Sequence, residues 1–105
     1  MADIPDVQRI YELGLELLEQ SSYAGIKPDE QKFKTLVAGL IGDKAGWVYV
    51  VVDDHNQVQG FFMGMIAEWF FSRSRYATDM AIYIRSGFRQ FAPRLYKMFI
   101  KWAKS

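Results

Sequence analysis

The chain holds few residue types able to do chemistry. It has no cysteine, so thiolate nucleophiles, thiolate zinc sites and disulfide scaffolds are excluded. Its single histidine, His55, lies in the polar cluster Asp53-Asp54-His55-Asn56-Gln57 and reads as an exposed turn residue. One histidine holds no metal by itself, so a multi-histidine centre is excluded as well. Proton transfer is left to carboxylates. Glu68 lies among Ile66, Ala67, Trp69 and Phe70. Burial there would raise its pKa, whereas an outward-facing strand position would make it an ordinary surface acid. Asp79 is a second carboxylate on a predicted strand. Arg89 and Arg94 bracket the start of the last predicted helix, where positive side chains solvate a helix start.

The composition sets the frame for these groups. The chain has 105 residues, 50% hydrophobic and 24% charged, which fits one ordinary globular domain over 1–105. Thirteen basic residues against twelve acidic ones give a formal charge of +1, which argues against a nucleic-acid coat. No basic n-region or apolar h-region opens the chain, so no secretory signal is visible. Residues 61–71 are the longest apolar-rich stretch. They are broken by Gly64 and Glu68 and are too short to span a membrane, so the expected location is cytoplasmic. Aromatic residues reach 16%, which calls for a bulky core or for surface covered by something else.

Periodicity supplies the elements. Val7, Ile10, Tyr11, Gly14, Leu17 and Leu18 make one helical face, with Asp3 or Asp6 as cap and Pro5 in the first turn. Ser21-Ser22-Tyr23-Ala24-Gly25 stops it. Pro28-Asp29-Glu30 starts a second helix, whose stripe is Phe33, Leu36, Val37, Leu40 and Ile41 and whose end is Gly42-Asp43. Trp47-Val48-Tyr49-Val50-Val51-Val52 is a β-branched and aromatic run, a buried strand. Residues 58–71 read as a second strand joined to it by the polar turn. Gly60 and Gly64 there predict a bulge or a close approach of another backbone. Residues 76–84 form a third strand, with Met80, Ile82 and Ile84 on one face and Ala81 and Tyr83 on the other. A last helix carries Leu95, Met98, Phe99, Trp102 and Ala103, with Pro93 in its first turn. Trp47, Tyr49, Phe61, Phe99 and Trp102 fall on core stripes. Trp69, Phe70 and Phe71 run consecutively, so one face there is exposed or covered by another chain.

This order, helix, helix, strand, strand, strand, helix, resembles the central portion of the GNAT N-acetyltransferase fold. Asp3-Ile4-Pro5-Asp6-Val7 is similar to the start of the family's first helix. Asp53-Asp54-His55-Asn56-Gln57-Val58-Gln59-Gly60 is similar to its hairpin, usually D-x-x-x-x-V-G. Ile82-Tyr83-Ile84-Arg85-Ser86-Gly87-Phe88-Arg89 resembles the L-Y-V-x-P-x-x-R ahead of the family's pyrophosphate loop. Phe99-Ile100-Lys101-Trp102-Ala103-Lys104 resembles the F-x-x-W-A-K of a phage-associated group. The resemblance implies an α/β fold with a mixed, mainly antiparallel sheet flanked by helices. It covers most of this chain but only part of the family's domain. The usual first strand and the strands after the third helix have no counterpart, so 1–105 reads as a partial domain, a truncated product or a member completed by a partner chain.

The resemblance also implies a cosubstrate, acetyl-CoA, and no metal. The family's loop R/Q-x-x-G-x-G/A turns backbone N–H groups at a helix start toward a pyrophosphate. Here it is Arg89-Gln90-Phe91-Ala92-Pro93-Arg94. Ala92 and Arg94 replace the glycines and Pro93 removes a donor, while Arg89 and Arg94 offer charge-assisted bonds in their place. Ile82, Tyr83 and Ile84 match the strand edge along which the pantetheine arm lies. Asp79, where members often carry a glutamate, and Glu68 are the candidate bases for an amine, with Tyr23 and Phe70 lining the acceptor cleft. Expected partners are a small-molecule or peptide amine and a second copy in a homodimer, with virion association for a phage protein. The altered loop and the missing strands also fit a non-catalytic GNAT-derived partner-binding module. A small unrelated α+β binding domain is the third reading.

Overall fold

A computed structural model describes residues 2–21, 25–68 and 70–104. Asp3 caps a 3-10 turn, Ile4–Asp6, and Asp6 reaches back to the Asp3 N–H to complete a capping box. Helix α1, Val7–Gln20, and helix α2, Glu30–Gly42, follow. Three strands come next: β1, Gly46–Val52, β2, Val58–Glu68, and β3, Arg75–Ile84. A 3-10 turn, Arg89–Phe91, then leads into helix α3, Ala92–Ala103. The order is the one the periodicity predicts. Asp29 starts α2 by accepting a bond from the Lys32 N–H at 3.0 Å. Asp29→Ala is expected to cost about 1 kcal/mol, read as a lower urea midpoint at constant slope.

The sheet is antiparallel in the order β1-β2-β3, and each face buries its own cluster. Toward α1 and α2 lie Ile10, Leu13, Val37, Leu40, Val48, Phe61, Met63 and Tyr83. Toward α3 lie Trp47, Val51, Phe62, Ile84, Leu95 and Phe99. Of the aromatics expected in the core, Trp47, Phe61 and Phe99 are buried, and Tyr49 and Trp102 pack partly buried against the α3-side cluster. On the outer edge of β1, the Ala2 N–H donates to the Val48 carbonyl at 2.9 Å.

Both glycine expectations on β2 have a structural basis. A side chain at Gly60 would lie 2.9 Å from Ile84 Cγ1, and one at Gly64 would collide with the Phe99 ring. The β2–β3 register shifts between Met63 and Gly64, because Met63 pairs with Ala81 and Gly64 with Asp79. Met80 is the extra residue, a β-bulge. This corrects the expected face pattern of β3. Met80 joins Ala81 beside α1 and α2, and Asp79 moves to the face of Ile82 and Ile84.

The end of β2 also differs from the expectation, since the strand stops at Glu68. Phe70 and Phe71 stand in the following turn, 83% and 85% exposed, with ring centroids 4.1 Å apart. In the first hairpin, Asp53 accepts the His55 and Gln57 N–H groups at 2.9 Å each. The Gln57 N–H, foremost, holds its carboxyl below the usual range.

Candidate functional site

β3 is an outer strand, and two bonds show which way its backbone points. The Arg85 N–H donates to the Gln59 carbonyl at 3.0 Å, and the Ile66 N–H turns away from β3 to the Ala45 carbonyl at 2.8 Å. With Phe61 paired to Tyr83 and Ile66 to Ala77, alternation sends the N–H and C=O of Ile82 and Ile84 outward. Before the bulge it sends those of Arg75, Ala77 and Asp79 outward.

At the C-terminal end of this edge a groove of about 410 Å³ opens. Ile82, Tyr83 and Ile84 form one wall. Leu17 and Gln20 of α1 and Arg89, Ala92 and Tyr96 form the rest. Arg89 Nε donates to the Ile84 carbonyl at 3.2 Å, so this arginine ties the start of α3 to the strand edge.

The groove therefore brings together Ile82, Tyr83, Ile84, Arg89 and Ala92 of the residues singled out in the sequence. Phe91 and Arg94 lie elsewhere, beside Tyr49, Val51, Leu95 and Met98 in a separate hollow of about 250 Å³. Helical spacing explains the division: positions 92 and 96 share one side, and 91, 94, 95 and 98 share another. Gln90 is exposed. The helix start offers few donors, because the Ala92 N–H goes to the Arg89 carbonyl and Pro93 has none.

Neither carboxylate singled out in the sequence lines this groove. Asp79 is exposed opposite Gly64, and Glu68 is exposed at the end of β2 opposite Arg75. Tyr23 and Trp69 lie outside the described residues. A further cleft of about 490 Å³ lies between α1, α2 and β3, walled by Tyr11, Leu15, Leu18, Phe33 and Met80. Among the described residues, no group of three or more His, Asp or Glu is placed to hold a metal ion. No helix among them is long and apolar enough to cross a membrane.

A polar network behind the groove has no signal in the sequence. Glu16 Oε1 accepts from Arg85 Nε and from the Tyr83 hydroxyl, each at 3.0 Å, and Arg85 Nη2 pairs with Glu16 Oε2. Gln20 Nε2 donates to the Tyr83 oxygen at 3.1 Å. On the other side, Arg85 Nη1 donates to Gln59 Oε1 at 3.2 Å and Gln59 Nε2 to Asp53 at 2.9 Å. The Arg85 guanidinium, helped by the Tyr83 hydroxyl and opposed by burial, holds the Glu16 carboxyl below the usual carboxylate range. Glu16 in turn raises Arg85. These bonds fix Tyr83, and with it the wall of the groove.

No family model matches the chain, and no curated protein matches it in sequence. Solved structures do. A predicted acetyltransferase with acetyl-CoA from Clostridium acetobutylicum superposes with TM-score 0.75 at 13% identity, over 98% of this chain and 70% of that one. A GNAT family acetyltransferase from Staphylococcus aureus gives 0.62 at 15%, over 98% and 74%. An aminoglycoside acetyltransferase from an uncultured soil metagenomic sample, in complex with sisomicin, gives 0.60 at 13%, over 96% and 66%. The chain spans 64% of the length of one solved structure it matches and 74% of another. At such identities the likeness is one of fold: the chain has a GNAT-like α/β fold without the full strand complement.

Proposed function

We propose that this GNAT-fold chain binds acetyl-CoA along the outer edge of β3 and transfers its acetyl group to an amine. The observation that carries this reading is the groove in which the outward backbone groups of Ile82 and Ile84 meet Arg89 and the start of α3. An extended pantetheine arm pairs with such an edge as an added strand would. Ile82 supplies an outward N–H and C=O, and Ile84 an outward N–H. The Ile84 carbonyl is held by Arg89 Nε, which leaves the Nη groups of Arg89 for a phosphate oxygen.

The amine nitrogen attacks the thioester carbonyl carbon directly. A C–N bond forms, the C–S bond breaks, coenzyme A leaves as the thiolate, and the amine proton passes to a base. Direct attack needs no cysteine, and holding both reactants in place supplies most of the rate. Asp79, on the same strand and face as Ile82, is the base we assign, acting through water. Glu68 is the second candidate. The acceptor is a small-molecule or peptide amine, and use of acetyl-CoA puts the reaction in the cytoplasm.

A second reading, a GNAT-derived module that binds a partner without catalysis, is favoured by the helix start. The Ala92 N–H is already committed, Pro93 has none, and neither carboxylate lines the groove.

Calorimetric titration with acetyl-CoA separates the two. The first reading expects micromolar binding that weakens about tenfold in Arg89→Ala, the loss of one charge-assisted contact. Absence of binding by the folded protein overturns it and leaves the second.

A further inference from the structure

The cleft between α1, α2 and β3 is separate from the groove but adjoins it. Leu17 lines both, and Met80 and Ala81 of the cleft directly precede Ile82 of the groove on β3. The Met80 bulge builds the floor of the cleft. Strict alternation would turn Met80 to the α3 face, whereas the bulge sets Met80 and Ala81 side by side toward α1 and α2.

The lining of the cleft is chemically one-sided. Tyr11, Leu15, Leu18, Phe33 and Met80 present apolar surface. Tyr11 and Phe33 pack as a tilted pair with ring centroids 5.9 Å apart, an arrangement that a further ring extends favourably. The Ser21 hydroxyl turns back to donate to the Leu18 carbonyl at 2.9 Å. The carboxylate on the lining is Asp29, exposed at the N-cap of α2 and in no ion pair among the described residues. A volume of about 490 Å³, apolar walls and a few polar groups are the usual make-up of a small-molecule pocket.

We infer that this cleft holds the body of the acceptor, and that the acceptor is a small primary amine carrying an aromatic or branched apolar group. This assignment rests on the acetyl-transfer reading and narrows its amine. A cavity of roughly 150 Å³ already holds benzene, so the cleft takes one ring with its side chain and has room for a second. Apolar walls give a polyamine or an aminoglycoside nothing to replace the water lost from its charges. The Asp29 carboxylate draws in the ammonium form and repels a carboxylate of the same shape. With the body seated there, the nitrogen end faces the step from Ala81 to Ile82, the end of the groove away from Arg89.

Titration with 2-phenylethylamine, followed by methyl NMR with and without coenzyme A, tests this. The expected result is binding at millimolar concentration or below that shifts the Met80, Leu15 and Leu18 methyls. Sisomicin and putrescine are expected to bind about tenfold more weakly. Met80→Lys, at a position already 40% exposed, is expected to weaken 2-phenylethylamine about tenfold through lost apolar contact and like charge. Asp29→Asn keeps a good helix cap. It is expected to weaken the amine about threefold, the scale of an exposed ion pair, and to leave neutral 2-phenylethanol unchanged. A folded protein whose Met80, Leu15 and Leu18 methyls ignore 2-phenylethylamine overturns the inference, even where acetyl-CoA binds. So does sisomicin or putrescine binding as tightly as 2-phenylethylamine. An amine seated in the cleft of a chain that takes no acetyl-CoA supports the ligand class and overturns the cleft's use for an acceptor, together with the transfer reading.

Discussion

Replacing Gly64 with valine is expected to lower the unfolding free energy by about 3 kcal/mol, the upper end for overpacking a filled site. The cause is the distance between β2 and α3. A Cβ at this position would lie 2.8 Å from Phe99 Cζ, closer still to the adjacent ring carbon, and 3.1 Å from the Thr78 carbonyl oxygen. The ring has little room to retreat. Its centroid lies 5.0 Å from that of Phe62, 5.4 Å from Trp47 and 5.8 Å from Trp102. Urea unfolding reads the change as a lower midpoint at constant slope. If the clash is with Phe99, the smaller Phe99→Leu side chain absorbs part of it, and the double variant is less destabilised than the two single changes sum to. A loss below about 1 kcal/mol for Gly64→Val would mean that α3 moves freely on the sheet.

Arg85→Ala is expected to cost about 2 kcal/mol, the scale of hydrogen bonds to a charged group. The change leaves the half-buried Glu16 carboxylate with the Tyr83 hydroxyl alone and takes a partner from the buried Gln59. The pair is about one-third exposed on each side, so water screens it and keeps the cost below that of a fully buried ion pair. The pH dependence has a definite sign. The folded state holds Glu16 below its ordinary 4.5, so the unfolded chain takes up the proton first as pH falls. The stabilisation is complete above the unfolded value and disappears as pH drops through the folded one. Wild type and Arg85→Ala should therefore converge in stability on the acid side of 4.5 and separate above it. A constant difference across that range would mean that Arg85 stabilises by packing instead.

The element order was legible because each segment carries its own period. Val7, Ile10 and Leu17 keep helical spacing, residues 47–52 are a β-branched run, and Asp29 and Pro93 mark helix starts. What escaped depends on partners distant in sequence. Residues 76–84 look like a regular strand, and nothing local signals that Met80 must bulge, so the expected face of Met80 was wrong. Trp69, Phe70 and Phe71 have strand-forming side chains, yet β2 stops at Glu68 before the turn into β3.

The window Arg89-Gln90-Phe91-Ala92-Pro93-Arg94 shows a related effect. Adjacent letters suggest one cradle, but the passage from a 3-10 turn into a helix places Arg89 and Ala92 in the groove and Arg94 in another hollow. Helical spacing could have revealed that division. The Glu16–Arg85 pair joins residues 69 apart in the chain, and no local pattern reports it.

The central claim is that the edge at residues 82–84 receives acetyl-CoA. Amide-resolved NMR during an acetyl-CoA titration tests it most directly, because Ile82 and Ile84 are the residues whose N–H groups point outward there. The account predicts that the largest shifts fall on the amides of Ile82 and Ile84 and on the Arg89 side-chain N–H. Shifts centred instead on Val51, Phe91 and Arg94, or no shifts at saturating cosubstrate, would contradict it.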